Sequence, residues 1–146
     1  MRLLLDANVV IRMLLRSPNP ARSVDVILDA GLRKTITFLV PSELRREVLI
    51  KIQGKRYLAE RILPDEATEF LDELARSGIV PPTHVGSPRP MSRDPKDDYL
   101  LAYAASGQAD YLVTDDNDLL VLDGRFPFRI VRPSAFLAVL REQGLA

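Results

Sequence analysis

Short apolar runs recur along the chain, at residues 3–5 (LLL), 35–40 (TITFLV), 111–114 (YLVT) and 128–131 (FRIV). They are too brief for helices, and most are rich in β-branched and aromatic residues, so they predict strands. Between them the apolar residues fall three and four apart, which predicts helices. These cover residues 8–15, a stretch through Val24, Ile27, Leu28 and Leu32, and a helix capped by Ser42 that carries Leu44, Val48 and Ile52. Residues 54–63 are predicted as a further helical stretch. Pro64 opens a helix with Ala67, Phe70, Leu71 and Leu74, and Asp94-Pro95 opens one reaching Ser106. Shorter helices are expected at 115–122 and 134–141, a short strand at 79–80 and a proline-rich surface loop at 81–95. Strands that alternate with helices and carry apolar residues throughout predict a parallel sheet covered on both faces. The expected fold is a three-layer α/β/α sandwich with about five short parallel strands, in one domain spanning residues 1–146.

Composition narrows the chemistry. Cysteine is absent, which excludes disulfides and thiolate metal sites. The single histidine, His84, falls in the proline-rich loop, so a histidine-based mechanism has little to draw on. Twenty basic and twenty acidic residues cancel, so no global positive field draws in a polyanion, and any nucleic-acid contact must be local or act through a cation. No apolar run is long enough to span a bilayer, and Asp6 interrupts the opening leucines. The expectation is therefore a cytoplasmic protein without membrane contact.

Carboxylates are the remaining reactive groups, and their positions are not scattered. In a parallel sheet, ligands bind beyond the carboxyl ends of the strands, where crossover helices also begin. Asp6 ends the first strand, and Asp115 and Asp116 end the strand at 111–114, with Asp118 just beyond. Glu43 and Glu47 lie in the first turns of the helix after the second strand. Asp97 and Asp98 lie in the first turn of the helix opened by Asp94-Pro95. Helix capping or dipole complementation accounts for any one of these alone. Four groups of acids at one sheet edge suggest more. Asp97 shares a stripe with Leu101, Ala104 and Ala105 and is expected to face the sheet, leaving Asp98 toward the rim. Glu47, one turn deeper than Glu43, has the weaker structural excuse. Close carboxylates repel unless a cation neutralises them, and oxygen ligands without His or Cys select Mg²⁺ or Mn²⁺.

With these motifs in place, the chain resembles the PIN-domain family, in particular VapC-like toxins of toxin–antitoxin systems. The apolar strand ending in Asp-x-Asn matches Asp6 and Asn8. The helix acid after strand two is similar to Glu47 in VPSELRREVL. The Asp-Pro-x-Asp turn matches Asp97 in RDPKDDYLLAYA, and the apolar-Thr-x-Asp turn matches Asp116 in YLVTDDNDLL, beside Thr114. Ala7 departs from the family's frequent Thr or Ser after the first Asp, which removes one hydroxyl from the surroundings of the site.

The resemblance implies a metal-dependent endoribonuclease with catalytic acids Asp6, Glu47, Asp97 and Asp116. Asp6, Asp97 and Asp116 would hold Mg²⁺ or Mn²⁺, and Glu47 would act as a ligand or as a base through water. Asn8 and Thr114 would orient these groups. Glu43, Asp98, Asp115 and Asp118 are the alternative acids, and one or two metals remain open. Arg12, Arg16, Arg45, Arg46, Lys51, Lys55 and Arg56 are candidates for RNA phosphates, although a solvated helix face explains each equally well. The resemblance also implies a possible antitoxin partner and a possible homodimer. The competing expectation is a catalytically silent module that binds RNA or protein through the same fold.

Overall fold

The computed structural model describes residues 1–15, 17–18, 22–82 and 98–146. Asp97, Arg16, His84 and the Asp94-Pro95 helix start lie outside the described residues, as does most of the proline-rich loop. Among the described residues the order is β1 (Arg2–Leu5), α1 (Ala7–Leu14), α2 (Ser23–Leu32), β2 (Thr37–Leu39), α3 (Ser42–Gly54) and α4 (Arg56–Arg61). Then come α5 (Pro64–Ser77), α6 (Asp98–Ser106), β3 (Tyr111–Val113), α7 (Asn117–Leu120), β4 (Arg129–Val131) and α8 (Pro133–Glu142).

The four strands form one all-parallel sheet in the order β2-β1-β3-β4. Leu4 is the central tie, paired with Leu39 on one side and Leu112 on the other. Consecutive strand side chains point to opposite faces. Leu3, Leu4 and Leu5 are nevertheless all buried, so helices cover both faces, as the α/β/α expectation required. Leu112 and Val113 repeat the pattern on β3.

The expected strand at 79–80 is reduced to a bridge between Leu39 and Ile79. Ile79 donates to Phe38 O and Val40 donates to Ile79 O, each at 2.8 Å, and there the pairing stops. Pro81 and Pro82 follow, and with no N–H to offer they cannot extend a ladder. Among the described residues the sheet therefore has four strands rather than five. Ser42 also differs from expectation. Pro41 holds the N-cap position of α3, and Ser42 lies one residue inside, donating to Glu43 Oε1 at 2.8 Å.

Two glycines allow close packing around β2. A Cβ on Gly31 of α2 would lie 2.1 Å from the Phe38 ring, and one on Gly78 would lie 2.3 Å from Phe38 O. Both positions need a residue without a side chain if α2 and the end of α5 are to sit this close to the strand.

Candidate active site

From β1 the chain crosses to β2 on one side, while β3 returns on the other, so the topological switch point lies between β1 and β3. Asp6 leaves the carboxyl end of β1 there, and Thr114, Asp115 and Asp116 leave that of β3. The backbone N–H of Asp6 continues the ladder to Val113 O at 3.0 Å, and Thr114 N continues it to Val131 O at 3.0 Å. Sheet register thus sets these residues side by side.

Asp6 holds the N-cap position of α1, but its side chain makes no capping bond. Instead Oδ2 accepts from the Thr114 hydroxyl at 2.7 Å, and Oδ1 has no partner among the described residues. Thr114 is fully buried and its hydroxyl also accepts from Asp116 N at 3.0 Å, tying the two strand ends together. Asp6 is only 4% exposed. Burial pushes its carboxyl above the ordinary range, and nearby Glu47 and Asp116 add to the shift, while the Thr114 hydrogen bond and Lys51 oppose it. Asp6 therefore senses the charges of both Glu47 and Asp116.

Asp116 does cap a helix: Asp118 N donates to Asp116 Oδ1 at 2.9 Å at the start of α7. The capping explanation thus holds for Asp116 and fails for Asp6. The other Asp116 oxygen has no hydrogen bond among the described residues. Asp115 is paired with cations, with Arg12 and, at 3.5 Å, with Arg132. Arg132 also donates to Asn117 Oδ1 at 2.7 Å. Asp6, Asn8, Asp115, Asp116, Asn117 and Asp118 line one open cleft of about 400 Å³.

Helix α3 brings Glu47 to this region, where it is partly buried. Its Oε2 accepts from the Tyr99 hydroxyl, and its Oε1 lies 3.1 Å from Lys51 Nζ. Glu43, one turn earlier, accepts from the Tyr103 hydroxyl at 2.6 Å. Two acids on α3 and two tyrosines on α6, each pair four residues apart, thus match in reversed order. The structure brings Asp6, Glu47 and Asp116 together with Asn8 and Thr114. Asp98 departs from the expectation that it lies toward the rim, because it is buried at 4% exposure. The inward face of α6 runs through Asp98, Leu101 and Ala104, while Ala105 is exposed. The stripe is rotated from the one expected, which sets Asp98 inward.

Among the phosphate candidates, Lys51 and Arg12 stand at the site. Arg45 pairs with Asp72 instead, and Arg56 pairs with Glu60 along α4. Arg46 and Lys55 are exposed. A larger cleft of about 660 Å³ lies between α1, α2 and α5, with Asp72 among its walls, and Asp6, Glu47 and Asp116 are not among its lining residues. Arg45 therefore serves a different surface. Sequence reasoning missed Tyr99, Tyr103 and Arg132. The matched i,i+4 spacing of Glu43/Glu47 and Tyr99/Tyr103 was visible, but no local signal pairs α3 with α6.

As the side chains stand, no trio of Asp, Glu and His among the described residues is close enough to hold a metal ion. The donor chemistry still suits a hard cation. Asp6 offers a buried carboxylate oxygen without a hydrogen bond, and two further acids raise its proton affinity, a strain that positive charge relieves.

No helix among the described residues is long and apolar enough to cross a membrane. A search of curated proteins found no match. A family model, the PIN domain, matches residues 2–118, a span that includes every candidate acid and runs two residues past Asp116. PIN domains are generally nucleases and typically use divalent metals. The match covers well over half of the 146 residues, and with the parallel sheet and its acids at the switch point, the chain belongs to the PIN-domain family.

Proposed function

We propose that the protein is a divalent-metal-dependent endoribonuclease, acting in the cytoplasm as the toxin of a toxin–antitoxin pair. The observation that supports this most is Asp6: a buried carboxylate at the switch point, held by Thr114, with one oxygen free and two acids within electrostatic reach. Asp6, Asp97 and Asp116 would hold Mg²⁺ or Mn²⁺, and Glu47 would complete the set as a ligand or as a base through water. A bound divalent cation supplies Lewis acidity, activating water and stabilising charge on the phosphodiester. Thr114 fixes the Asp6 rotamer, and Tyr99 with Lys51 fixes that of Glu47. Asn8, exposed at the cleft mouth, orients groups entering it. Arg12 and Arg132 on the rim, with exposed Arg46 and Lys55, supply the local positive charge that a chain of zero net charge needs to meet RNA.

The purified protein is expected to cut single-stranded RNA with Mg²⁺ or Mn²⁺ and to stop on addition of EDTA. Cleavage undiminished by EDTA overturns the metal mechanism. Inactivity on a broad RNA panel favours a silent binding module that uses the same fold. The toxin assignment predicts that expression arrests growth and that Asp6→Asn abolishes the arrest.

A further inference from the structure

Lys51 follows Glu47 by one helical turn, so their ion pair could be an ordinary surface contact. Comparable i,i+4 pairs show what such a contact looks like here. Arg33 and Asp29 have side chains 73% and 58% exposed, and Arg56 and Glu60 are 94% and 64% exposed. Lys51 and Glu47 are only 32% and 21% exposed. Lys51 also reaches off its own helix: Nζ lies 3.1 Å from Glu47 Oε1 and 3.4 Å from Asn8 Oδ1, on α1. Asn8 is two residues past Asp6, and the Lys51 charge acts on that buried carboxylate, opposing Glu47 and Asp116. Arg12 and Arg132, the other cations at the cleft, are engaged with Asp115. An ammonium set between two side-chain oxygens beside a buried carboxylate answers the same need as a bound cation.

We propose that Lys51 is the internal counter-ion of the acidic site, offsetting part of its negative charge in the metal-free protein and giving up Glu47 when a divalent cation binds. The inference rests on the metal-binding reading of Asp6, Glu47 and Asp116, and it gives Lys51 a role other than gripping RNA. Lys51 keeps the acids from splaying apart without metal, and its positive charge weakens metal affinity. Half-loading of the site then needs a higher concentration of free divalent cation than the acids alone would require.

The test uses the full chain as wild type, Lys51→Met, which keeps the apolar stem without the charge, and Lys51→Arg. Arg33→Met removes an exposed cation as a control. Mn²⁺ binding is measured by calorimetry at fixed ionic strength, and melting is followed with EDTA and with saturating Mn²⁺. Lys51→Met is expected to melt lower than wild type in EDTA and to bind Mn²⁺ roughly fivefold to tenfold more tightly, because a repelling charge at short range is gone. Lys51→Arg, which keeps the charge, is expected to stay within about twofold of wild type. Arg33→Met is expected to leave Mn²⁺ binding unchanged. Unchanged or weaker Mn²⁺ binding by Lys51→Met overturns the proposal while leaving the metal reading intact. If wild type itself binds no Mn²⁺, the metal reading falls and this inference falls with it. Should Lys51→Met fail to fold, Lys51→Gln carries the same expectation, since it can still bond Glu47 and Asn8 without charge.

Discussion

Replacing Asp6 with Asn removes charge from the centre of the site and nearly preserves its shape. The Thr114 hydroxyl donates to Asp6 Oδ2 at 2.7 Å, and an amide oxygen can take its place. A hydrogen bond to a charged acceptor contributes about 1.5–3 kcal/mol and a neutral one about 0.5–1.5, so the exchange gives up about 1 kcal/mol. Repulsion from Glu47 and from Asp116 is relieved, each on the order of 1 kcal/mol at an effective dielectric of a partly wet site, while the attraction to Lys51 is lost. The desolvation of a carboxylate that is 4% exposed is relieved as well. No capping bond is lost, because the Asp6 side chain makes none, so the usual capping cost of about 0.5–2 kcal/mol does not apply. Metal-free Asp6→Asn should therefore be as stable as wild type or about 1–2 kcal/mol more stable. Urea unfolding in EDTA measures this, and thermal melts with and without Mg²⁺ complete the assay. Mg²⁺ should raise the melting temperature of wild type more than that of the variant, the trade-off of stability against activity expected of an active site. A destabilised variant with an unchanged metal response would remove Asp6 from the site.

Acid is expected to have a related effect. Because burial raises the Asp6 pKa above that of the unfolded chain, its stability contribution is full below the unfolded value and lost as pH rises through the folded one. Metal-free wild type should thus gain stability relative to Asp6→Asn as pH falls from neutral toward 3.8, and a constant difference between the two would refute the shift. Asp123 acts oppositely and in a more acidic window, because the Arg129 hydrogen bond holds its carboxyl low. Asp116→Asn should lower RNA cleavage far more than Asp115→Asn, since Asp115 is paired with Arg12 and Arg132; equal losses in a kinetic assay would reverse that assignment. Asp97→Asn should abolish cleavage with the fold retained, whereas Asp98→Asn, at a buried position, should lower the melting temperature first; the opposite pattern would make Asp98 the ligand. Glu47→Gln should cost more activity than Glu43→Gln, and Tyr99→Phe should reproduce part of the Glu47 loss by releasing its carboxylate; activity unchanged in Tyr99→Phe would make that hydroxyl structural.

The sheet was legible because its strands are short and nearly all apolar, as expected when both faces of a parallel sheet are covered. Strand ends then set Asp6 and Asp116 at one edge. Residues 79–80 read as a strand on the same grounds, but Pro81 and Pro82 end the pairing after one bridge. Asp98 was misplaced because a short amphipathic helix leaves its phase open by one residue, and here α6 is turned enough to bury it. Side-chain partners far apart in sequence were hidden altogether. Tyr99 finds Glu47 across 52 residues, and Arg45 is drawn to Asp72 on α5 rather than to the site. Lys51 could be named as a cation near the acids, but only the arrangement of α1 against α3 shows that it bridges Glu47 and Asn8.

The proposed function requires that carboxylates at the β1/β3 switch point bind a divalent cation for RNA cleavage. It is tested most directly by following cleavage of a labelled single-stranded RNA across a Mn²⁺ titration, with wild type, Asp6→Asn and Asp116→Asn side by side. Wild type should rise from no cleavage in EDTA to a plateau, while both variants stay near background at every Mn²⁺ concentration despite cooperative melting transitions. Variants that reach the wild-type plateau, or wild type that cleaves without metal, would contradict the account.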